Sequence, residues 1–233
     1  MAYINGNKAS NTTESVIIVD AGVTLKLNSC AIITNNRAVN GGAVTLNGTL
    51  IMNGGTISGN EAIANGVDTG LGGAIYACEF ARFVMNDGVI INNFATSGGA
   101  IYLGSGATVS LLGGTVGKSG QGNTATNGGA LYVHEAAGGI NLNGGAISSN
   151  TAELGGGIYS ERGLVLEGIS IKDNFASSYG GGIYSNKELT IMSGVIDGNK
   201  ATLNGGGIYV TNTILNIPNI VLSNNEALRG GAI

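Results

Sequence analysis

The sequence predicts an all-β chain wound as a right-handed, single-stranded parallel β-helix, a solenoid of about eight coils with three short strands per coil. Three observations predict this fold. Four sequence features recur eight times in the same order. Apolar residues within each repeat stand two positions apart, which is the period of a β-strand. Finally, 43 of the 233 residues are glycine, and glycine at this density would break the amphipathic helices of a helical repeat.

The first strand of each coil follows a Gly-Gly-Ala or Gly-Gly-Gly corner. Glycine suits a corner that needs a positive φ or that lies against the backbone of the next coil. The aliphatic residue after the glycines is expected to point inward and to stack on its equivalents in neighbouring coils. These aliphatic residues are Val44, Ile75, Ile101, Leu131, Ile158, Ile183, Ile208 and Ile233, and the last four stand 25 residues apart.

The second and third strands follow in the same order in every repeat. An apolar pair whose members are two residues apart marks the second strand, and a single apolar residue marks the third. The pairs are Leu25/Leu27, Leu50/Met52, Phe83/Met85, Val109/Leu111, Ile140/Leu142, Leu164/Leu166, Leu189/Ile191 and Leu215/Ile217. The third-strand residues are Ile33, Ile57, Ile90, Val116, Ile147, Ile171, Ile196 and Leu222.

An Asn-x-Ala motif marks the corner after the third strand. Asparagine tolerates the left-handed conformation that a corner requires, and stacked asparagines can form a ladder of amide hydrogen bonds along a solenoid. We therefore expect these residues to be structural and assign them no chemistry. They are Asn36, Asn60, Asn93, Asn123, Asn150, Asn174, Asn199 and Asn225.

Composition and charge exclude several classes of function. The net charge is −4 and the ten basic residues are scattered singly, so a nucleic-acid partner is not expected. No apolar run approaches the roughly 20 residues that a membrane-spanning helix needs. Cys30 and Cys78 fall at different points of their coils, and we predict unpaired, small buried residues. No motif for a metal or a cofactor is present, and none is predicted.

The repeats resemble those of a known group of surface proteins. The segments from Asn93 to Tyr102 and from Asn123 to Tyr132 have the sequences NFATSGGAIY and NTATNGGALY. They resemble the Gly-Gly-Ala-Ile repeats of polymorphic outer membrane proteins and of bacterial surface adhesins, within the pectate-lyase-like β-helix superfamily. The resemblance covers nearly the whole chain. It implies an extracellular or cell-surface module that takes part in adhesion.

A stripe of tyrosines is the most regular surface feature that the sequence predicts. The residue after the inward aliphatic of the first strand is tyrosine in six consecutive coils, and alternation along a strand turns these rings outward. Rigid rings with a hydroxyl group suit contacts with a glycan or a protein. They can equally stack on one another as cross-strand pairs, and both roles stay open here. The stripe consists of Tyr76, Tyr102, Tyr132, Tyr159, Tyr184 and Tyr209.

Charged residues collect at the corner that follows the tyrosine strand. Four of them lie on adjacent coils, so they are candidates for one polar site; the alternative is a solvated, charged rim. The candidate rim residues are Glu79, Arg82, His134, Glu135, Glu161 and Arg162, with Lys187 and Glu188 at the same corner.

Polysaccharide cleavage, by a lyase or a hydrolase, is the alternative function, because many β-helix proteins are such enzymes. Asp87, Asp173 and Asp197 stand at different offsets from their corner asparagines and should not stack into a carboxylate cluster. His134 is the single histidine of the chain. We therefore predict no catalytic residues and a non-catalytic structural or adhesive module.

The whole chain, residues 1–233, is predicted to be one β-helix domain. Residues 1–14 are polar, and the chain stops at Ile233 inside a repeat motif, without a capping element. An open coil presents unpaired backbone groups to another chain. We therefore expect either a piece of a longer protein or head-to-tail stacking of copies into a filament.

Overall fold

The computed structural model describes residues 2–6, 13–67, 69–211 and 213–233. Within these ranges every regular element is a β-strand, so no helix that could cross a membrane is present there. The strands pair in parallel with their equivalents in neighbouring repeats, and the described chain forms a β-solenoid of about eight turns. The predicted all-β solenoid is confirmed.

The strand after the Gly-Gly corner builds an eight-stranded sheet, which we call the tyrosine sheet. Its register places Ile158, Ile183 and Ile208 one above the other, as their spacing predicts. Its strands in spatial order are Ile17–Val19, Val44–Leu46, Ile75–Ala77, Ile101–Leu103, Leu131–Val133, Ile158–Ser160, Ile183–Ser185 and Ile208–Val210.

The second and third predicted strands belong mainly to one twelve-stranded sheet. In two coils they merge into ten-residue strands, Thr49–Ser58 and Arg82–Ile91, whose mutual register is irregular between Met85 and Val89. In later coils the second strand forms a separate three-stranded sheet of Leu164–Leu166, Leu189–Ile191 and Leu215–Asn216. The other strands of the twelve-stranded sheet are Tyr3–Asn5, Thr24–Leu27, Ile32–Thr34, Thr108–Leu111, Thr115–Val116, Ile140–Asn141, Ala146–Ser148, Ile169–Lys172, Gly194–Asp197 and Ile220–Ser223.

A further short strand, beyond the three predicted, follows the corner asparagine in several coils. The Asn-x-Ala motif predicts a corner at this segment and not a strand. Stacking of these alanines still aligns the segments well enough for parallel pairing, as between Ala152, Ala176 and Ala201. The strands are Arg37–Ala38 and Glu61–Ala62 in one sheet, and Thr151–Leu154, Phe175–Tyr179 and Lys200–Ala201 in another.

Aliphatic columns fill the interior of the solenoid. Phe83 and Met85 are fully buried and lie in register with Leu50 and Met52 of the preceding coil. One continuous cluster of buried residues runs from Val19 to Ile208. Since burial of one such side chain contributes about 1.5–3 kcal/mol, the stacked columns are the main source of stability.

The corner asparagines form a buried ladder, as predicted. The Nδ2 atom of Asn123 donates to Oδ1 of Asn150 at 2.9 Å and also to the carbonyl oxygen of Ile90 at 2.9 Å. The backbone N–H of Asn123 donates to the same Oδ1 atom at 3.0 Å. The same Nδ2-to-Oδ1 bond joins every consecutive pair from Asn36 to Asn225 at 2.7–3.0 Å.

The expectation that these asparagines take the left-handed conformation was wrong. The residue directly before the ladder asparagine takes it instead, as at Asn35, Asn92 and Asp173, with φ between 54° and 56°. In the ladder the asparagine side chain must point into the corner, along the solenoid axis. The left-handed residue that reverses the direction of the chain is therefore the one before the asparagine, whose side chain points outward.

Two successive glycines at the tyrosine-sheet corner are required for different reasons. Gly128 has a φ of 64°, in the region that disfavours side chains. A Cβ atom at Gly129 would overlap the carbonyl oxygen of Gly156 and the backbone of Thr151 in the next coil. The second glycine therefore permits the close approach of stacked coils.

The polar N-terminal segment contributes a strand that the sequence analysis did not predict. Tyr3–Asn5 pairs with Ile32–Thr34, and Ile4 packs against the core. The rest of the predicted polar segment lies partly outside the described residues, which omit Met1 and 7–12.

Replacement of Asn123 by alanine should destabilise the solenoid strongly. The change removes the acceptor of the buried backbone N–H of Asn93 and the Nδ2 donor to Asn150 and Ile90, and each buried group left unsatisfied costs about 1–3 kcal/mol. We expect the free energy of unfolding in urea to fall by about 3 kcal/mol.

The matched control is Asn53→Ala. Asn53 also belongs to an amide row, since it donates to Asn28 at 3.3 Å and accepts from Asn86 at 2.8 Å, but it is exposed to solvent. Water replaces its lost partners, so we expect a loss below about 1 kcal/mol. Equal losses for the two variants would contradict the role assigned to the buried ladder.

Candidate functional site

The tyrosine sheet places six tyrosine rings in a continuous outer stack, which we call the tyrosine column. Tyr102, Tyr132, Tyr159 and Tyr184 stack with centroid separations of 4.8, 5.1 and 5.0 Å and interplanar angles of 6–16°. The terminal rings are tilted: Tyr76 lies 5.6 Å from Tyr102, and Tyr209 lies 5.5 Å from Tyr184. Both arrangements are favourable aromatic geometries.

The rings point outward, but the stacking hides much of their surface. Tyr102 is only 9% exposed and Tyr132 only 8%, and they pack with Leu71 into a small apolar cluster. Tyr76, Tyr159, Tyr184 and Tyr209 are half-buried. The central rings therefore stabilise the sheet, whereas the later rings offer more surface to a ligand.

A seventh tyrosine, missed at the level of sequence, extends this surface. Tyr179 stacks on Tyr209 with a centroid separation of 4.9 Å and an interplanar angle of 25°. It lies in the row of residues before the Gly-Gly corner, in register with Leu154 and Asn204. The signal for this position in the sequence is its fixed offset directly before the glycines of the corner.

Burial and one carboxylate raise the pKa of the central hydroxyl groups. Burial raises the pKa of Tyr132, and the hydrogen bond of its hydroxyl group to Glu161 raises it further. Burial, followed by the negative charge of Glu161, raises the pKa of Tyr159 to about 12. Burial also raises the pKa of Tyr184, against a lowering by its hydrogen bond with Thr211. These rings stay neutral at physiological pH and present hydroxyl groups that donate and accept.

Three of the predicted rim residues line one open groove beside the tyrosine column. The groove has a volume of about 620 Å³, and its charged lining residues are Glu135, Glu161, Arg162 and Lys187, together with Ala136, Ala137 and Gly163. The Nη1 atom of Arg162 donates to the carbonyl oxygens of Ala137 and Gly138 in the preceding coil. Arg162 thus clamps two coils together, and Glu161 joins the groove to the column.

The other predicted rim residues do not line this groove. His134 accepts a hydrogen bond from the backbone N–H of Ala136 at its Nδ1 atom, at 3.1 Å, so it stabilises its own turn. Glu79 and Arg82 are exposed on an earlier coil. In the described part of the chain no three His, Cys, Asp or Glu side chains are grouped so as to hold a metal. Both cysteines are free, but Cys30 is exposed and Cys78 is half-buried, so the expected burial was wrong for Cys30.

The alkaline titration of the tyrosines should report this environment. In the folded protein Tyr159 should ionise with a pKa of about 12, and in the unfolded chain with a pKa of about 10. Between these values the folded state holds more protons than the unfolded state. Its stability should therefore fall as the pH rises through this window, as measured by tyrosinate absorbance and by urea unfolding at each pH.

Glu161→Gln supplies the matched comparison. Loss of the carboxylate charge should lower the pKa values of Tyr132 and Tyr159, whereas Tyr184, on which Glu161 does not act, should titrate as before. Unchanged titration of all three rings would contradict the contact between Glu161 and the column.

Comparison with protein-family models gives a match on two neighbouring repeats. Residues 168–186 and 193–211 match the Chlamydia polymorphic membrane protein repeat. The two stretches contain Tyr179, Tyr184 and Tyr209 of the surface described above. Neither the curated proteins nor the solved structures contain a match to the chain. Over these two stretches the chain is similar to repeats of Chlamydia polymorphic membrane proteins.

Proposed function

We propose that the chain is a non-catalytic adhesive module of a bacterial surface protein, and that it binds a glycan along the outer face of the tyrosine column. One observation carries the proposal: a continuous stack of aromatic rings lies on one side of a solenoid whose backbone is hydrogen-bonded from coil to coil. The similarity to polymorphic membrane protein repeats supports the surface location.

The rigidity of the scaffold favours binding over a surface of several coils. Parallel strands pair on both sides of every tyrosine strand except the last, that of Tyr209, so the rings are held in place and a ligand would order few side chains when it binds. The half-buried rings Tyr159, Tyr184 and Tyr209, with Tyr179 beside them, form the accessible part. Aromatic faces pack against the C–H faces of sugar rings, and the hydroxyl groups supply hydrogen bonds.

The groove beside the column supplies polar groups for the same ligand. Glu135 and Lys187 are exposed at its edge, so they can reach hydroxyl or amide groups of a sugar. Arg162 is engaged by two backbone carbonyl oxygens, and Glu161 accepts from Tyr132. We therefore assign the first pair to the ligand and the second pair to the scaffold.

The double variant Tyr159→Ser with Tyr184→Ser tests the proposal on a glycan array. Loss of both accessible rings should weaken glycan retention at least about tenfold, which corresponds to about 1.4 kcal/mol. The matched control is Val165→Ser, which removes an apolar side chain that is 64% exposed on a different strand. Its retention should equal that of the parent protein.

Three results would overturn the proposal or part of it. Retention that is equal in the double variant and in the parent would remove the column as the binding surface. Release of oligosaccharide product from polyuronides, in a turnover assay run in parallel, would replace the adhesive function with polysaccharide cleavage. Retention on immobilised extracellular proteins instead of glycans, lost in the double variant, would keep the surface and change the ligand class.

A further inference from the structure

Toward the N-terminus the tyrosine column ends at Tyr76, and beyond Tyr76 lies a gap about as thick as one ring. The position occupied by tyrosine in the later coils is Thr45 in the second coil and Ile18 in the first, by the register of the tyrosine sheet. Thr45 is too short to stack on Tyr76. The position of Thr45 therefore has the ring of Tyr76 on one side. On its other side lies the side chain of Ile18, which is 48% exposed.

A cavity occupies this gap. Its volume is about 360 Å³, and its lining includes Ile18, Val39, Thr45, Asn47 and Tyr76, with Glu14 at the edge. Ile18 and Tyr76 are separated by two coils, or roughly 9.6 Å at a strand spacing of about 4.8 Å. One saturated six-membered ring fills that distance when it contacts an apolar group on each face.

The hydrogen bonds of Ser15 determine whether the Thr45 hydroxyl group, at the floor of the cavity, can accept a hydrogen bond from a ligand. The Ser15 hydroxyl oxygen lies 2.7 Å from Oγ1 of Thr45, 3.0 Å from the carbonyl oxygen of Asn40 and within hydrogen-bond distance of that of Gly41. Ser15 has one proton, and the carbonyl groups can only accept it. Thr45 must then donate to Ser15, which leaves its oxygen lone pairs to accept from a ligand hydroxyl group.

We propose that this cavity binds one neutral pyranose ring of a glycan. The C–H face of the sugar would stack on Tyr76 and continue the column, its opposite face would contact Ile18, and its hydroxyl groups would reach Thr45, Asn47 and Glu14. An aromatic side chain would fit the gap but would not use these polar groups, which can exchange hydrogen bonds with the hydroxyl groups of a sugar. The negative charge of Glu14, on a protein with net charge −4, disfavours a uronic acid. This site rests on the proposed glycan-binding function and gives it a defined end point.

Proton NMR with the parent protein and three probes tests the site directly. The probes are methyl β-D-glucopyranoside, methyl β-D-galactopyranoside and N-acetylglucosamine, each added alone, with methyl glucuronide as the charged comparison. We expect saturation transfer to the ring C–H protons of at least one neutral probe and weaker transfer to the glucuronide. Amide shifts of the labelled protein should change around Thr45, Asn47 and Tyr76.

Thr45→Tyr is the decisive variant, because it fills the gap with the ring that the later coils carry. Affinity for the neutral probe should fall at least about tenfold while the melting temperature is maintained or raised. The control is Thr190→Tyr, which adds the same ring at a half-buried position between Val165 and Asn216 on another strand. Its probe affinity should match that of the parent.

The outcomes separate this site from the proposed function of the column. Absence of transfer to all three neutral probes overturns the site, as does binding that Thr45→Tyr leaves intact. Shifts confined to the region of Tyr159 and Tyr184 overturn the site and support the column. Probe binding that is lost in Thr45→Tyr but retained in the Tyr159→Ser, Tyr184→Ser variant supports the site and contradicts a glycan surface at the later rings.

Discussion

The register between stacked coils depends on the buried asparagine ladder. From Asn60 to Asn225 each amide has its oxygen and its nitrogen engaged by neighbouring coils, so a slip of one residue would leave several buried polar groups unpaired. The interval between successive ladder residues varies from 24 to 33 residues, yet their amide bonds all measure 2.7–3.0 Å. Extra residues are therefore absorbed by loops away from the ladder, and the aliphatic columns remain aligned.

The same register produces the aromatic surface. Once Ile101, Leu131 and Ile158 are aligned inside the solenoid, the tyrosines that follow them must align outside it. The ring separations of 4.8–5.6 Å follow the separation of the coils. A substitution in one coil changes the column at one level only, as Thr45 does. The solenoid can thus alter its outer surface coil by coil without disturbing its core.

In both the tyrosine column and the charged groove, some side chains stabilise the solenoid and others are proposed to recognise a ligand. The central rings, Tyr102 and Tyr132, are buried by their neighbours and contribute to the stability of the sheet. Arg162 binds backbone carbonyl oxygens of the preceding coil and acts in the same way. The proposed recognition surface lies at the two ends of the column, where the stack is incomplete, and at the exposed edge of the groove.

The sequence by itself determined the solenoid, the inward columns, the asparagine ladder and the tyrosine column, because each depends on identical residues at a fixed offset in every repeat. Side chains without such an offset could not be placed. The separation of Glu79 and Arg82 from the groove and the cavity above Tyr76 depend on how loops of unequal length fold back at the corners. Only the tertiary structure decided these features, because periodicity constrains the repeated backbone and leaves the direction of an inserted segment free.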